Sequence, residues 1–179
     1  MGGSPKHHVV DLVDNRGAFV ARPTVEEARE VFRARCLLEG DLIRRAAERR
    51  DPAMRVALED HMVCEREARD AGDVSRVIRR CGRYHQVLAD QAESPIMARF
   101  VRELIARSSL IIAVYETKAP DSCEIDEHRE LSDLVLSGKA DEAVTLMDRH
   151  LRGIEDRLVL DNREAPQSEL ISSLGTFER

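Results

Sequence analysis

The chain has 179 residues, of which 42% are hydrophobic and 35% charged, and a formal net charge of −6, which favours one soluble, largely helical domain. Aromatic residues make up only 3% and Trp is absent, which excludes a stacking surface for single-stranded nucleic acid, while the net acidity argues against a broad DNA-binding surface. No apolar run of about 18 residues and no signal peptide occur, so we expect a cytoplasmic protein without membrane contact.

Residues 1–23 are predicted to form a leader followed by a short β-hairpin. The opening Met1–His8 looks like a leader or a cut edge, so its histidines carry no functional weight. Between Val9 and Val20, two brief apolar runs flank an Asp-Asn-Arg-Gly turn, which is typical of a hairpin. Since a lone hairpin is marginally stable in water, we expect it to pack on the rest of the chain or to be the remnant of a larger unit.

Helical patterns fill residues 24–161, which we interpret as one domain. Thr24 is a predicted N-cap, and Glu27 three residues later completes a capping-box pattern. Asp51-Pro52 is a typical helix start. The predicted architecture is all-α, an antiparallel bundle of six or seven helices. Six helices are predicted, at about 24–50, 52–71, 73–92, 95–119, 123–137 and 139–161, with a break at 120–121 between the fourth and the fifth. A tail follows at 162–179.

Three of these helices each turn a histidine toward the predicted core. His85, His128 and His150 fall on the apolar stripes of the third, fifth and sixth helices, and Cys81 lies one turn before His85 on the same face. Nitrogen and sulfur ligands favour Zn²⁺ or Ni²⁺ over Mg²⁺ or Ca²⁺. Taken singly, each histidine is better explained by hydrogen bonding within the core, but the three together favour a divalent-metal site.

Other polar residues carry weaker signals. His61 and Cys64, three residues apart on the second helix, form at most half a metal site. The carboxylates of the fifth helix, among them Glu127 and Glu130, are interpreted as a solvated face. No nucleophile motif, Gly-rich phosphate loop or HExxH sequence occurs, so no catalytic residue is predicted.

Several motifs resemble transcription regulators of the GntR superfamily, FadR branch. The segment from Arg16 to Gly40, RGAFVARPTVEEAREVFRARCLLEG, is similar to the junction where the wing of a winged helix-turn-helix leads into the next domain. Within it, Arg35 to Glu39 matches an R-x-x-L-E pattern. The later motifs are YH at 84–85 with SP at 94–95, EHR at 127–129, GKADEA at 138–143 and HL at 150–151.

The resemblance implies an FCD domain, a helical ligand-binding domain. Many members hold a metal through one Asp and three His, and a small organic acid completes the coordination. By position, the three histidines correspond to His85, His128 and His150, and the Asp corresponds to Cys81. A Cys81 thiolate would favour Zn²⁺, whereas a protonated Cys81 would leave a three-histidine site. An Asn of the family corresponds to Ser94, which is therefore a candidate effector-binding residue that changes the polarity of the pocket.

We therefore expect an effector-sensing domain and not an enzyme. Its cofactor is a divalent metal, with Zn²⁺ favoured and Ni²⁺ as the alternative, and its ligand is a small carboxylate held also by Arg35, Arg80 or Arg102. Effector binding would control DNA binding by a winged-helix domain that this sequence lacks, within a homodimer. The alternatives are a metal-dependent hydrolase and a bundle in which a metal is purely structural.

Overall fold

The computed structural model describes residues 10–13, 17–20, 23–116 and 123–160, with side chains for 23–116 and 126–160. The six predicted helices are confirmed, and the leader and the tail at 162–179 lie outside the described residues. The described elements are β1 (Val10–Val13), β2 (Gly17–Val20), α1 (Val25–Arg49), α2 (Pro52–Asp70), α3 (Val74–Gln91), α4 (Pro95–Tyr115), α5 (Cys123–Leu136) and α6 (Ala140–Arg157).

Two short strands lie in the region where the sequence predicts a hairpin. β1 and β2 pair antiparallel, with Val10 opposite Val20 and Val13 opposite Gly17. The residues between them, where the turn is predicted, are outside the described ranges. The interpretation of this strand pair as part of a wing stays a prediction.

The start of α1 shows how a tertiary contact replaces a local one. The Thr24 hydroxyl oxygen accepts a hydrogen bond from the backbone N–H of Glu27 at 3.0 Å, which is half of the predicted capping box. The Glu27 side chain instead accepts from Arg107 of α4 at 3.0 Å. The first turn of α1 is therefore tied to the neighbouring helix.

The last helix ends earlier than predicted, at Arg157. Leu158 adopts an extended conformation, and the N–H of Val159 donates to the carbonyl of Tyr115 at 3.1 Å. Leu158 still packs against Tyr115 in the core. Because this extended segment is also apolar, its pattern resembles one more helical turn.

The helix α1 is the central element of the bundle, since it packs against α3, α4, α5 and α6, while α2 packs against α3 and α5. The largest cluster of buried apolar side chains lies among α1, α2, α3, α5 and α6. Two smaller clusters lie along α4, one with α1 and α6 and the other with α1 and α3. Within the described ranges, no helix is both long and apolar enough to cross a membrane.

Candidate metal centre

Three histidines from different helices meet in the core. His85 of α3, His128 of α5 and His150 of α6 are 3%, 0% and 1% exposed. One ring nitrogen of each lies within 4.8 Å of the others, and the ring centroids are 4.9 to 5.3 Å apart. The structure thus brings to one point the three side chains that periodicity places on inward faces.

Each of these histidines has its Nδ1 atom bound to a glutamate. Since an ionised carboxylate only accepts hydrogen bonds, Nδ1 carries the ring proton and Nε2 carries a lone pair. The same arrangement behind metal-bound histidines fixes the ring orientation and raises the basicity of the ligand. The Nδ1–oxygen distances are 2.6 Å for His85 and Glu39, 2.9 Å for His128 and Glu65, and 2.7 Å for His150 and Glu127.

The Nε2 atoms of His128 and His150 face each other at 3.3 Å. With both ring protons on Nδ1, neither Nε2 atom donates to the other, and two lone pairs are directed into the same space. Two nitrogens bound to one tetrahedral zinc at about 2.0–2.1 Å are themselves about 3.3–3.4 Å apart. The residues therefore fit Zn²⁺ or a similar ion, and three nitrogen donors leave a coordination position for another ligand.

The buried carboxylates behind the histidines are held in the ionised form. Although burial raises the pKa of Glu39, the charge of Arg35 and the hydrogen bonds from Arg35 and His85 lower it to about 2. Burial also raises the pKa of Glu65, but the hydrogen bond from His128 contributes to lowering it to about 2. Ionised carboxylates are the form that accepts the Nδ1 protons.

The imidazoles of His85 and His150 are held neutral. Burial lowers the pKa of His85 to about 4, and the nearby Glu39 opposes this shift only in part. Burial likewise lowers the pKa of His150 to about 3, against the opposing hydrogen bond to Glu127. That same hydrogen bond lowers the pKa of Glu127. Neutral imidazoles are the form that ligates metals.

A tyrosine and a serine fix the position of His128. The Tyr84 ring stacks on the imidazole, with centroids 4.0 Å apart and planes inclined by 14°. The Tyr84 hydroxyl donates to the carbonyl oxygen of His128 at 2.9 Å, and Ser132 donates to the same oxygen at 2.8 Å. His128 is therefore held at its ring and at its backbone.

A fourth buried histidine supports the centre from outside. The Nε2 atom of His61 lies 2.9 Å from the carbonyl oxygen of Arg80 and 3.4 Å from a Glu65 oxygen. His61 thus contacts Glu65, the carboxylate behind His128. From the sequence, His61 was instead a candidate for half a metal site together with Cys64.

Cys81 belongs to a second cluster that overlaps the first. Its sulfur, a Glu65 oxygen and a His128 ring nitrogen all lie within 4.8 Å of one another. The residue is buried and also lines a small cavity beside His85 and His150. Its role as a fourth metal ligand stays a prediction.

That cavity, of about 20 Å³, is large enough for one water molecule. Arg35 lines it and is almost fully buried, with Nε donating to Glu39 at 2.6 Å and Nη1 to Ser108 at 3.0 Å. Its Nη2 atom is buried without a hydrogen-bond partner. Because an unsatisfied buried donor is costly, this atom marks a place where an acceptor on a ligand would bind.

The other predicted effector-binding residues lie elsewhere. The Arg102 side chain is exposed and pairs with Asp90 at 2.8 Å, because its position on α4 faces solvent. Ser94 is the N-cap of α4, and Arg80 offers its carbonyl to His61. Of the four predicted residues, only Arg35 is on the cavity wall in the described part of the chain.

The sequence analysis missed the glutamates. Glu127 was interpreted as solvated, but its side chain is 29% exposed and binds His150. Glu39 follows Arg35 by four residues and Glu65 follows His61 by four, and each pair is in contact. A glutamate four residues after another polar residue on the inward face of a helix could have indicated these buried pairs from the sequence.

In the described part of the chain, a helical bundle thus holds a centre of three histidines beside a buried arginine. Residues 30–153 match the FCD domain family, and the chain belongs to this family. The resemblance to GntR-type regulators of the FadR branch is thereby confirmed, and the chain is the effector-sensing domain of a transcription regulator and not an enzyme.

Solved structures with the same fold include a transcriptional regulator GntR from Rhodococcus sp. RHA1, with a TM-score of 0.73 and 21% identity over 87% of this chain and 74% of that chain. Escherichia coli McbR/YncC has a TM-score of 0.73 and 15% identity over 83% and 75%. A GntR family member from Pseudomonas syringae pv. tomato has a TM-score of 0.60 and 20% identity over 82% and 62%. A search of curated proteins found no significant match.

Proposed function

We propose that this domain senses a small organic acid at a divalent metal held by His85, His128 and His150. The observation that carries the proposal is the convergence of three buried ring nitrogens, each backed by a carboxylate on Nδ1. Nitrogen donors with tetrahedral spacing favour Zn²⁺, with Ni²⁺ as the second candidate. In its thiolate form Cys81 would be a fourth ligand, and the effector oxygen would then bind as a fifth; with a protonated Cys81, the three histidines leave the fourth position to that oxygen.

The histidines, their glutamates and Arg35 have different roles in the proposed binding of the ligand. The three histidines supply nitrogen donors, and their glutamates keep the rings in one orientation. When bound, the metal supplies a Lewis-acidic position for one carboxylate oxygen. Arg35 offers the unpartnered Nη2 donor to the same anionic group through a charge-assisted hydrogen bond.

The size of the cavity supports a two-state mechanism. Its volume of about 20 Å³ is too small for an organic acid, so binding requires a wider arrangement of the surrounding helices. A ligand that binds only the wider arrangement shifts the population toward it. GntR-family regulators bind DNA and small effectors and are commonly dimeric. We propose that this shift changes the operator affinity of paired winged-helix domains.

The first experiment is elemental analysis of protein purified without chelator and without its N-terminal histidines. We expect about one equivalent of zinc or nickel per chain, lost in the double variant His128→Ala, His150→Ala. The variant His61→Gln removes a buried histidine that is not a proposed ligand; because His61 contacts Glu65, we expect it to lower the metal content less than the double variant does. Equal metal contents in the wild type and the double variant would contradict the proposed site.

The second experiment separates sensing from a purely structural metal. We expect acetate and longer carboxylates to raise the melting temperature of the zinc-loaded protein, and Arg35→Met to weaken this effect. If zinc raises the melting temperature but no carboxylate adds to it, the metal is structural and the sensing proposal fails.

A further inference from the structure

A second group of buried donors meets at His128. The Cys81 sulfur, a Glu65 oxygen and a His128 ring nitrogen all lie within 4.8 Å of one another, and the three residues are 8%, 1% and 0% exposed. They come from three different helices, α3, α2 and α5. Thiolate, carboxylate and imidazole are all zinc ligands, so this group offers three donors to one ion.

The two edges of the His128 ring face different groups. Nδ1 lies 2.9 and 3.0 Å from the two Glu65 oxygens, whereas Nε2 lies 3.3 Å from Nε2 of His150. A nitrogen and an oxygen bound to one tetrahedral zinc at about 2.0–2.2 Å are about 3.3–3.5 Å apart. An ion between Nδ1 and Glu65 therefore requires these atoms to separate by only a few tenths of an ångström.

The Cys81 sulfur is placed for this group and not for the full set of histidines. Among the described side chains, no group of four that joins the sulfur to the ring nitrogens of His85, His128 and His150 lies within the same 4.8 Å. The sulfur meets that distance together with Glu65 and His128. These two residues are therefore the best-placed partners for an ion bound to Cys81.

The charges of the second group balance those of a divalent ion. Glu65 is an ionised carboxylate, and an ion that binds Cys81 releases the thiol proton to solvent. One carboxylate and one thiolate then neutralise the ion, with a neutral His128 as the third ligand, so no net charge is buried. The thiolate favours thiophilic ions such as Zn²⁺ or Cd²⁺ over Mg²⁺ and Ca²⁺.

His128 serves only one of the two groups at a time. A neutral imidazole has one lone pair, so a metal on Nδ1 leaves the ring proton on Nε2. That proton then donates to Nε2 of His150, whose own proton stays on Nδ1 toward Glu127. Both rings keep their hydrogen bonds, but the three-histidine group loses one of its donors.

We infer that Glu65, Cys81 and His128 form a second metal site, which takes a thiophilic divalent ion and excludes a metal from the three-histidine site. The second site itself does not depend on carboxylate sensing. Its consequence for sensing rests on the proposed function, because an ion held there withdraws His128 from the metal that binds the effector. A thiophilic ion is then a second input, which opposes effector binding.

The test uses the full chain without its N-terminal histidines and with His85→Gln and His150→Gln, which remove the three-histidine site. Cd²⁺ is the probe, because a bond between a thiolate and Cd²⁺ gives an ultraviolet charge-transfer absorption. We expect about one equivalent of Cd²⁺ to produce this absorption. Adding Cys81→Ser should abolish it and lower Cd²⁺ affinity at least about 100-fold, since residues that only support a ligand already contribute about 10–100-fold.

The matched control is Cys64→Ser in the same double variant, which should keep both the absorption and the affinity. An absorption in the wild type that is lost in the folded double variant would make Cys81 a ligand of the three-histidine site and overturn the inference. An absorption that survives Cys81→Ser would also overturn it. If circular dichroism shows that the double variant does not fold, His150→Gln alone removes one donor of the first site, and the same results are expected.

Exclusion between the two sites is measured by metal content. With Zn²⁺ and Cd²⁺ supplied together, the wild-type chain should hold about one ion in total, and a chain that holds one of each would overturn the exclusion. Cd²⁺ should also reduce the rise in melting temperature that a carboxylate produces in the zinc-loaded protein. If no carboxylate produces such a rise, the proposed function fails, while the absorption of the double variant still decides on the second site.

Discussion

A histidine in a helical core can offer either ring nitrogen to a metal, and the group bound to the other nitrogen decides which one is available. In this chain the deciding groups are glutamates on three different helices, α1, α2 and α5. In other proteins, substitution of the residues that hydrogen-bond to metal ligands lowers metal affinity by about 10–100-fold. The three carboxylates are thus as much a part of the centre as the histidines.

The contribution of these glutamates to metal affinity is most easily tested at Glu127, which binds His150. We expect Glu127→Gln to lower zinc affinity by about 10–100-fold, because an amide accepts the Nδ1 proton less strongly than a carboxylate. Glu130→Gln is the matched control, since Glu130 lies on the same helix with a side chain 61% exposed. Competition with a fluorescent chelator gives both affinities. Equal affinities for the two variants would show that Glu127 has no such role.

Cys81 is tested most directly with cobalt in place of zinc. If its thiolate is a ligand, the Co²⁺-loaded protein shows a thiolate-to-metal charge-transfer absorption that Cys81→Ser removes. We expect this band, because the Cys81 sulfur lies within 4.8 Å of a His128 ring nitrogen. A spectrum without the band in the wild type would assign Cys81 to the cavity wall and leave three histidines as ligands.

At the scale of the helices, two N-caps of similar sequence differ in structure. The Thr24 side chain accepts from Glu27 at the start of α1, whereas Ser94 at the start of α4 makes no capping hydrogen bond. We expect Thr24→Ala to cost about 1 kcal/mol of unfolding free energy, and hence about 2–4 °C in melting temperature.

The control for that prediction is Ser94→Ala. This substitution removes no capping bond, so we expect a markedly smaller loss in thermal or urea unfolding of the same protein. If both substitutions lower the melting temperature equally, the difference between the two caps has no energetic importance.

The helices and the inward direction of the histidines were predictable because both follow from short-range patterns. Caps, Pro and Gly mark helix ends, and apolar spacing marks the buried face. Partners between helices were not predictable in the same way. The contact of Glu39 with His85 spans 46 residues and that of Glu65 with His128 spans 63, and each depends on how the helices are rotated against each other.

At the scale of the whole molecule, the buried histidines make stability depend on pH. Burial lowers the pKa of His85 to about 4 and of His150 to about 3 in the folded state, whereas both titrate near 6.5 when unfolded. Below about pH 6.5 the unfolded chain therefore binds more protons than the folded one, and stability falls as pH falls. Glu39 and Glu65, whose folded pKa values are about 2, act in the same direction below about pH 4.5.

We therefore expect the metal-free protein to lose stability between about pH 6.5 and about pH 4, by up to about 1.4 kcal/mol per pH unit for each of the two histidines. Urea unfolding in the presence of a chelator, at several pH values across this window, measures the slope. The double variant His85→Gln, His150→Gln should show a flatter profile. A stability that is constant across the window would contradict the burial of neutral imidazoles.

Among the six helices, α4 supplies none of the three histidines and none of the glutamates that bind them. Among the described side chains, α3, α5 and α6 supply the histidines and α1, α2 and α5 supply the glutamates behind them, so an ion bound at the proposed site would join five helices. α4 contacts these helices through Ser108, which binds Arg35, and it contributes part of the wall of the small cavity beside His85 and His150. In amide hydrogen exchange, zinc should slow these five helices, whereas an effector should alter exchange chiefly in α4. If the proposed function is correct, the metal would hold five helices in one arrangement, and the response to an effector would depend on the position of α4 relative to them.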